Sequence, residues 1–170
     1  MNILNWKQKS WGSRAYETHA DGLPMGNLTF GNWFSYDAAY ASAKGKLIFI
    51  SKGWFDQDTE VLFNGEKVAV AHTSLFGNTQ IQLSNGDNYN YETKSLSRDV
   101  AIKDKTGRAL VKFEQPALSL GKGTVIVADD LDELTAEMLI STGLYLKVIA
   151  ESKITILVVL LMPLIVRMFD

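Results

Sequence analysis

From Trp11 to about Val127 the chain alternates short runs of β-branched, aliphatic and aromatic residues with clusters of Gly, Asn and Asp. That is the pattern of strands joined by tight turns. It predicts strands at Leu47–Ile50, Glu60–Phe63, Val68–Ala71, Gln80–Leu83, Tyr89–Tyr91, Val100–Ile102, Leu110–Phe113 and Thr124–Val127. Gln80-Ile81-Gln82-Leu83 alternates strictly, as a strand with one wet face does. Turns are expected at Asp21-Gly22, Asn64-Gly65, Asn85-Gly86 and Thr106-Gly107, where glycine supplies a positive φ without steric cost.

Three of these turns belong to a repeat. Trp11, Trp54 and Leu96 each precede a turn glycine (Gly22, Gly65, Gly107) by 11 residues, and an apolar residue (Met25, Val68, Leu110) follows each glycine by three. The spacing is 43 residues and then 42. One β-meander unit used three times would close into a barrel or ring and remove exposed strand edges.

Beyond Val127 the apolar period becomes helical. Leu131, Leu134, Met138, Tyr145 and Val148 form one stripe, opposite Glu133, Glu137, Lys147 and Glu151. The run Asp129-Asp130-Leu131-Asp132-Glu133 offers Asp130 as a cap with Glu133 three residues on, predicting an amphipathic helix over 131–150. Residues 154–169 are apolar on every side and must be buried in protein or lipid. Sixteen helical residues span roughly 24 Å, short of a usual bilayer crossing, so a core helix and a short membrane anchor both fit. Lys153 and Arg167 flank the run, and Pro163 would kink it.

Composition narrows the function classes. The 170 residues suit one domain, and 46% apolar content excludes disorder. The absence of cysteine removes disulfides, thiol nucleophiles and Cys-ligated metals. A net charge of −2 speaks against nucleic acid as a partner. Residues 1–128 carry 14 basic and 12 acidic side chains, whereas 129–170 carry 3 and 7. The first residues lack the apolar run of a secretory signal, which predicts a cytoplasmic location.

The segments GKLIFISKGWFDQDTEVLFNGEKVAVA and RDVAIKDKTGRALVKF, with Trp11, Asp21-Gly22, Gly53-Trp54-Phe55 and the final hydrophobic helix, resemble the tubby C-terminal-like superfamily. That group includes tubby-like proteins, LURP-one-related proteins, phospholipid scramblases and many bacterial relatives, and the likeness is nearest to the bacterial members. It spans roughly residues 6–150. The resemblance implies a mainly β fold: a closed antiparallel barrel of about twelve strands threaded by a hydrophobic helix. A barrel of that width cannot fill its bore with wall side chains alone. Residues 1–150 would form the barrel with 131–150 as its plug, leaving 151–170 as a second helix that meets the core, a membrane or a partner.

No sequence pattern for a catalytic, cofactor or metal site stands out. His19 and His72 lack metal-ligand spacing, and the carboxylate pairs Asp56/Asp58 and Asp99/Asp104 read as solvated turn or strand residues. Lys94, Arg98, Lys103, Lys105, Arg108 and Lys112 crowd one hairpin and form the candidate patch for anionic lipid. Ile154, Ile156, Leu157, Leu160, Leu161, Leu164, Ile165 and Phe169 are the candidate contacts to membrane or partner. The expected protein is a non-enzymatic barrel that binds lipid or scaffolds partners at the inner face of a membrane. A soluble domain that self-associates into a homo-oligomer through its tail is the alternative. Scramblase-like activity, which distant kin imply, is a weaker one.

Overall fold

The computed structural model describes residues 2–31, 35–53, 57–74, 78–93, 98–117, 119 and 121–167, with the backbone alone at 157–160 and 163–167. Among the described residues twelve strands are followed by one helix. The strands are β1 (Asn2–Gln8), β2 (Ala15–Ala20), β3 (Leu23–Phe30), β4 (Ala38–Ser42), β5 (Gly45–Lys52), β6 (Gln57–Phe63), β7 (Glu66–Thr73), β8 (Thr79–Leu83), β9 (Asn88–Thr93), β10 (Val100–Lys103), β11 (Ala109–Glu114) and β12 (Lys122–Val127). The helix α1 covers Glu133–Arg167. Each strand pairs antiparallel with the next, and β1 pairs with β12, so the meander closes into a barrel. The closing strand β1 is not among the strands anticipated from the sequence; Leu4 and Trp6 face inward from it, and it gives β12 a partner.

Alternation along the strands separates two environments. In β8, Thr79, Ile81 and Leu83 are buried while Gln80 and Gln82 are exposed. The outer wall carries Lys7, Glu17, Lys46, Lys52, Asp58, Glu60, Lys67, Glu92 and Lys112, and ion pairs such as Lys52–Glu60 at 3.0 Å cross it. A membrane-spanning barrel has an apolar outer face; this wall is polar outside and apolar inside.

The three-fold repeat has a structural cause. In the β2–β3 pair Thr18 faces Gly26 and His19 faces Pro24, leaving Met25 unopposed. Val68 is skipped in the same way between β6 and β7, and Leu110 between β10 and β11. The apolar residue three positions after each turn glycine is thus the extra residue of a β-bulge, a device that bends a strand and raises its twist. Asp21 and Gly22 (φ 50° and 81°) and Asn64 and Gly65 (φ 50° and 93°) adopt the paired left-handed conformations of a type I′ hairpin. Trp11 lies in the loop after β1, and the other two leading repeat positions, Trp54 and Leu96, fall outside the described residues.

One continuous helix replaces the two expected. It runs through Pro163 without ending, and 154–167 prolong the plug itself. The cap is Asp132, whose Oδ1 accepts hydrogen bonds from the amides of Leu134 (3.1 Å) and Thr135 (3.0 Å); Asp130 instead pairs with Arg108. Every residue from Leu139 to Ile149 is buried, polar ones included. The amphipathic expectation therefore fails at both ends: Leu134 is exposed, and Lys147 is only 2% exposed. Lys147 reaches along the bore to donate to Arg98 O (2.6 Å) and Glu151 Oε1 (2.9 Å), its ammonium 5.7 Å from the Trp6 ring centroid.

The plug is off-centre. The helix backbone approaches β10 and β11 most closely, where a Cβ on Gly143 would stand 2.5 Å from Phe113 Cε2 and 2.9 Å from Ile102 Cδ1. Aromatic rings span the wider side: Tyr145 stacks on Phe49 (centroids 4.5 Å apart) and on Phe30 (5.7 Å). Burial, opposed by hydrogen bonds with Thr59 and Ser51, pushes the Tyr145 hydroxyl up to about 12.

Because a tyrosine in the unfolded chain ionises near pH ~10, folding holds a proton there that the unfolded state releases. Stability from this group is complete below pH ~10 and is lost as pH rises through the folded value. Burial raises Tyr40 and Tyr91 in the same direction. Urea midpoints measured across this range should fall steadily with pH, and less steeply in Tyr145→Phe. A flat profile would contradict the buried placement of these rings.

Candidate functional site: the helix-exit end of the barrel

The two ends of the barrel differ. Five tight hairpins, the start of β1, the end of β12 and the helix N-terminus gather at one, the turn end. The longer connections gather at the other, where α1 leaves the bore. Among the described residues the exposed large apolar side chains fall into two groups, one at each end. Ile3, Leu23, Met25 and Leu134 lie at the turn end; Trp11, Ile154, Ile156, Leu161 and Met162 belong to the exit end. Trp11, 96% exposed, projects from the loop between β1 and β2. Ile154 (62%), Ile156 (45%), Leu161 (41%) and Met162 (54%) stand on the part of α1 that has left the wall.

The wall stops covering the helix at a collar of polar contacts. Lys153 Nζ donates to Gln57 Oε1 (2.6 Å) and lies 5.6 Å from the Tyr36 ring centroid; burial lowers its pKa. Gln57 in turn donates to Ser51 Oγ. Arg14 sits 4.9 Å over the Phe30 ring and donates to Ser35 O, while Arg98 donates to Ser119 O. Beyond this collar 154–167 extend for about 21 Å at helical rise.

The chain matches no protein-family model, no curated protein and no solved structure.

Five of the six basic residues grouped by sequence are described, and they spread along the β10–β11 hairpin, with Lys103 and Lys112 lining one outer groove. Lys105 and Arg108 lie at the turn end, Arg98 at the exit end, and Lys112 faces outward from β11 between them. Arg108 is paired with Asp130 (2.7 Å) and Asp104 (3.4 Å), and Lys103 with Glu92 (2.5 Å). A strand of six residues separates its ends by roughly 20 Å, so the two ends of this hairpin present their charges to different surroundings. Lys94 falls outside the described residues.

Of the candidate apolar contacts, Ile154, Ile156 and Leu161 are exposed; the side chains of Leu157, Leu160, Leu164 and Ile165, and all of Phe169, lie outside the described residues. His19 and His72 each have a carboxylate neighbour, Glu17 (3.6 Å) and Asp58 (2.5 Å), which the sequence reading did not anticipate. Among the described residues no group of three metal-ligating side chains forms. Asp104 organises its hairpin: Oδ1 accepts from the Thr106 hydroxyl and the amides of Thr106 and Arg108, which hold its carboxyl below the usual range. Asp99 Oδ1 accepts from the Gln115 amide at the opposite end of β10, so the two aspartates form no dyad; Asp56 is outside the described residues.

The sequence did not show that Trp11 is exposed, nor the Lys153–Gln57 collar. Along the chain Trp11 marks the repeat and the family resemblance, neither of which fixes its exposure. Gln57 and Lys153 are 96 positions apart, and their contact depends on where the helix crosses the rim.

Proposed function

We propose that this protein is a non-enzymatic barrel that docks on a membrane surface through its exit end and serves there as a binding or scaffold module. One observation carries the reading: the plug helix continues past the rim with Ile154, Ile156, Leu161 and Met162 uncovered, and Trp11 is uncovered at the same end. Covering such half-exposed aliphatic side chains contributes about 1 kcal/mol each. Tryptophan suits the interface between headgroups and acyl chains.

The mode we propose is interfacial, with the exposed side chains of the helix laid into the headgroup region; among the described residues no helix is long and apolar enough to cross a membrane. Charge supports the orientation. The turn end carries Asp21, Asp87, Asp104, Asp129, Asp130, Asp132 and Glu133 against Lys44, Lys105 and Arg108, and an anionic bilayer would repel it.

Vesicle sedimentation tests this. The full chain should pellet with vesicles of phosphatidylglycerol and phosphatidylcholine. The variant Ile154→Ser/Ile156→Ser/Leu161→Ser/Met162→Ser should stay in the supernatant while melting at the parent temperature, because those side chains lie outside the bore. Equal pelleting of parent and variant, or none by the parent, defeats the proposal. The same uncovered face suits a second copy of the chain; sedimentation equilibrium without vesicles would reveal that alternative as association lost in the variant.

A further inference from the structure

We infer that a cleft at the turn end binds a small amphiphile with an apolar body and a cationic head group. The cleft measures about 630 Å³ and opens between the first turns of α1 and the ends of β1–β4. That volume is in the range of small-molecule sites. It lies at the opposite end from the helix extension, so it stands independently of membrane docking.

Its origin is the off-centre plug. Gly143 lets the helix lie against β10 and β11, and on that side the bulge residue Leu110 is buried. On the far side the equivalent bulge residue, Met25, is exposed and lines an opening. Tyr40 packs over Gly26, where no Cβ could fit, and hydrogen bonds Thr18 (2.9 Å), so one wall of the cleft is held by a buried, satisfied ring. Leu4, Ile140 and Met25 supply the apolar surface.

The rim selects the sign of the head group. A helix N-terminus commonly attracts anions through free amides. Here the amides of Leu134, Thr135 and Ala136 are already taken by Asp132. The lining charges are Asp21, Glu133 and Glu137 against Lys44. Lys44 Nζ is committed to Glu133, 2.9 Å from Oε2 and 3.3 Å from its carbonyl oxygen, and stays 3.8 Å from Glu137 Oε2. Three acidic side chains face one lysine, and of the two helix carboxylates Glu137 is therefore the more weakly paired. It is largely shielded from solvent beside Tyr40, whose hydroxyl pKa is raised by burial, lowered by the Thr18 hydrogen bond and raised again by Glu137. A cation placed there is attracted by a carboxylate with little water to compete.

Calorimetric titration of the full chain with dodecyltrimethylammonium below its micelle concentration tests the inference, with dodecanoate as the control of opposite charge. The ammonium should bind at least about tenfold more tightly than dodecanoate, and Glu137→Gln should weaken it by about tenfold, the scale of one charge-assisted contact. Met25→Trp, at an exposed position, should block binding without unfolding the barrel. The four-serine variant of the helix extension should bind as the parent does. Equal binding of the two amphiphiles, binding that survives Met25→Trp, or loss of binding in the four-serine variant would each overturn it.

Discussion

Tyr145→Ala should lower the unfolding free energy by about 3–5 kcal/mol, the range for truncating a fully buried aromatic. For a chain of this length that is a fall in melting temperature of roughly 6–20 °C. Tyr145 is 0% exposed and stacks between Phe30 and Phe49, so alanine leaves a void that wall residues held in their strands cannot collapse to fill. Tyr145→Phe separates packing from hydrogen bonding. It keeps the stack and gives up the hydroxyl's contacts with Thr59 Oγ1 (3.5 Å) and Ser51, so it should cost about 1 kcal/mol. If alanine and phenylalanine were equally mild in chemical denaturation, the helix would not be filling the bore.

Gly143→Leu should be the second most damaging change, by about 3 kcal/mol. Glycine is normally a poor helix residue, and replacing it would gain about 1 kcal/mol from propensity alone. Here the new side chain would enter the space of Phe113 and Ile102, and the helix cannot retreat because the Tyr145 stack occupies the other side. Overpacking of this kind outweighs the propensity gain. Gly143→Ala should show the same conflict on a smaller scale, with a net loss of no more than about 2 kcal/mol. Thermal melts of both variants check this; a Gly143→Leu protein as stable as its parent would mean that the helix is not pressed against β10 and β11.

Much of the shell was legible along the chain. Asn64-Gly65 specifies a two-residue hairpin through the backbone preferences of two adjacent residues. The 43- and 42-residue spacing was legible too, although its meaning as three bulges was not. A bulge is defined by which residue across the pair is skipped, which no single strand records.

The helix was read less well because amphipathicity assumes one wet face. Between Leu139 and Ile149 there is none, so Lys147 looked like a surface residue when it is a buried cation held by a carbonyl and a carboxylate. The ion-pair partners of the basic hairpin residues were hidden for a related reason: Arg108 meets Asp130, 22 positions away, only once the barrel brings the β10–β11 turn beside the helix start.

By itself the sequence determined the local alphabet: strands from period-two runs, turns from Asp-Gly and Asn-Gly, a helix after Val127, and an apolar excess at the end. These follow from backbone sterics and side-chain type, which act over a few residues. Only the tertiary structure decided that β1 closes the ring, that one helix serves as both plug and extension, and that the plug leaves the bore near Lys153. The change of environment along that helix reflects the length of the surrounding wall. Residues 139–149 include Ser141, Thr142 and Lys147 and are buried, whereas the apolar Ile154, Ile156, Leu161 and Met162 are exposed; what separates them is whether a strand lies beside them.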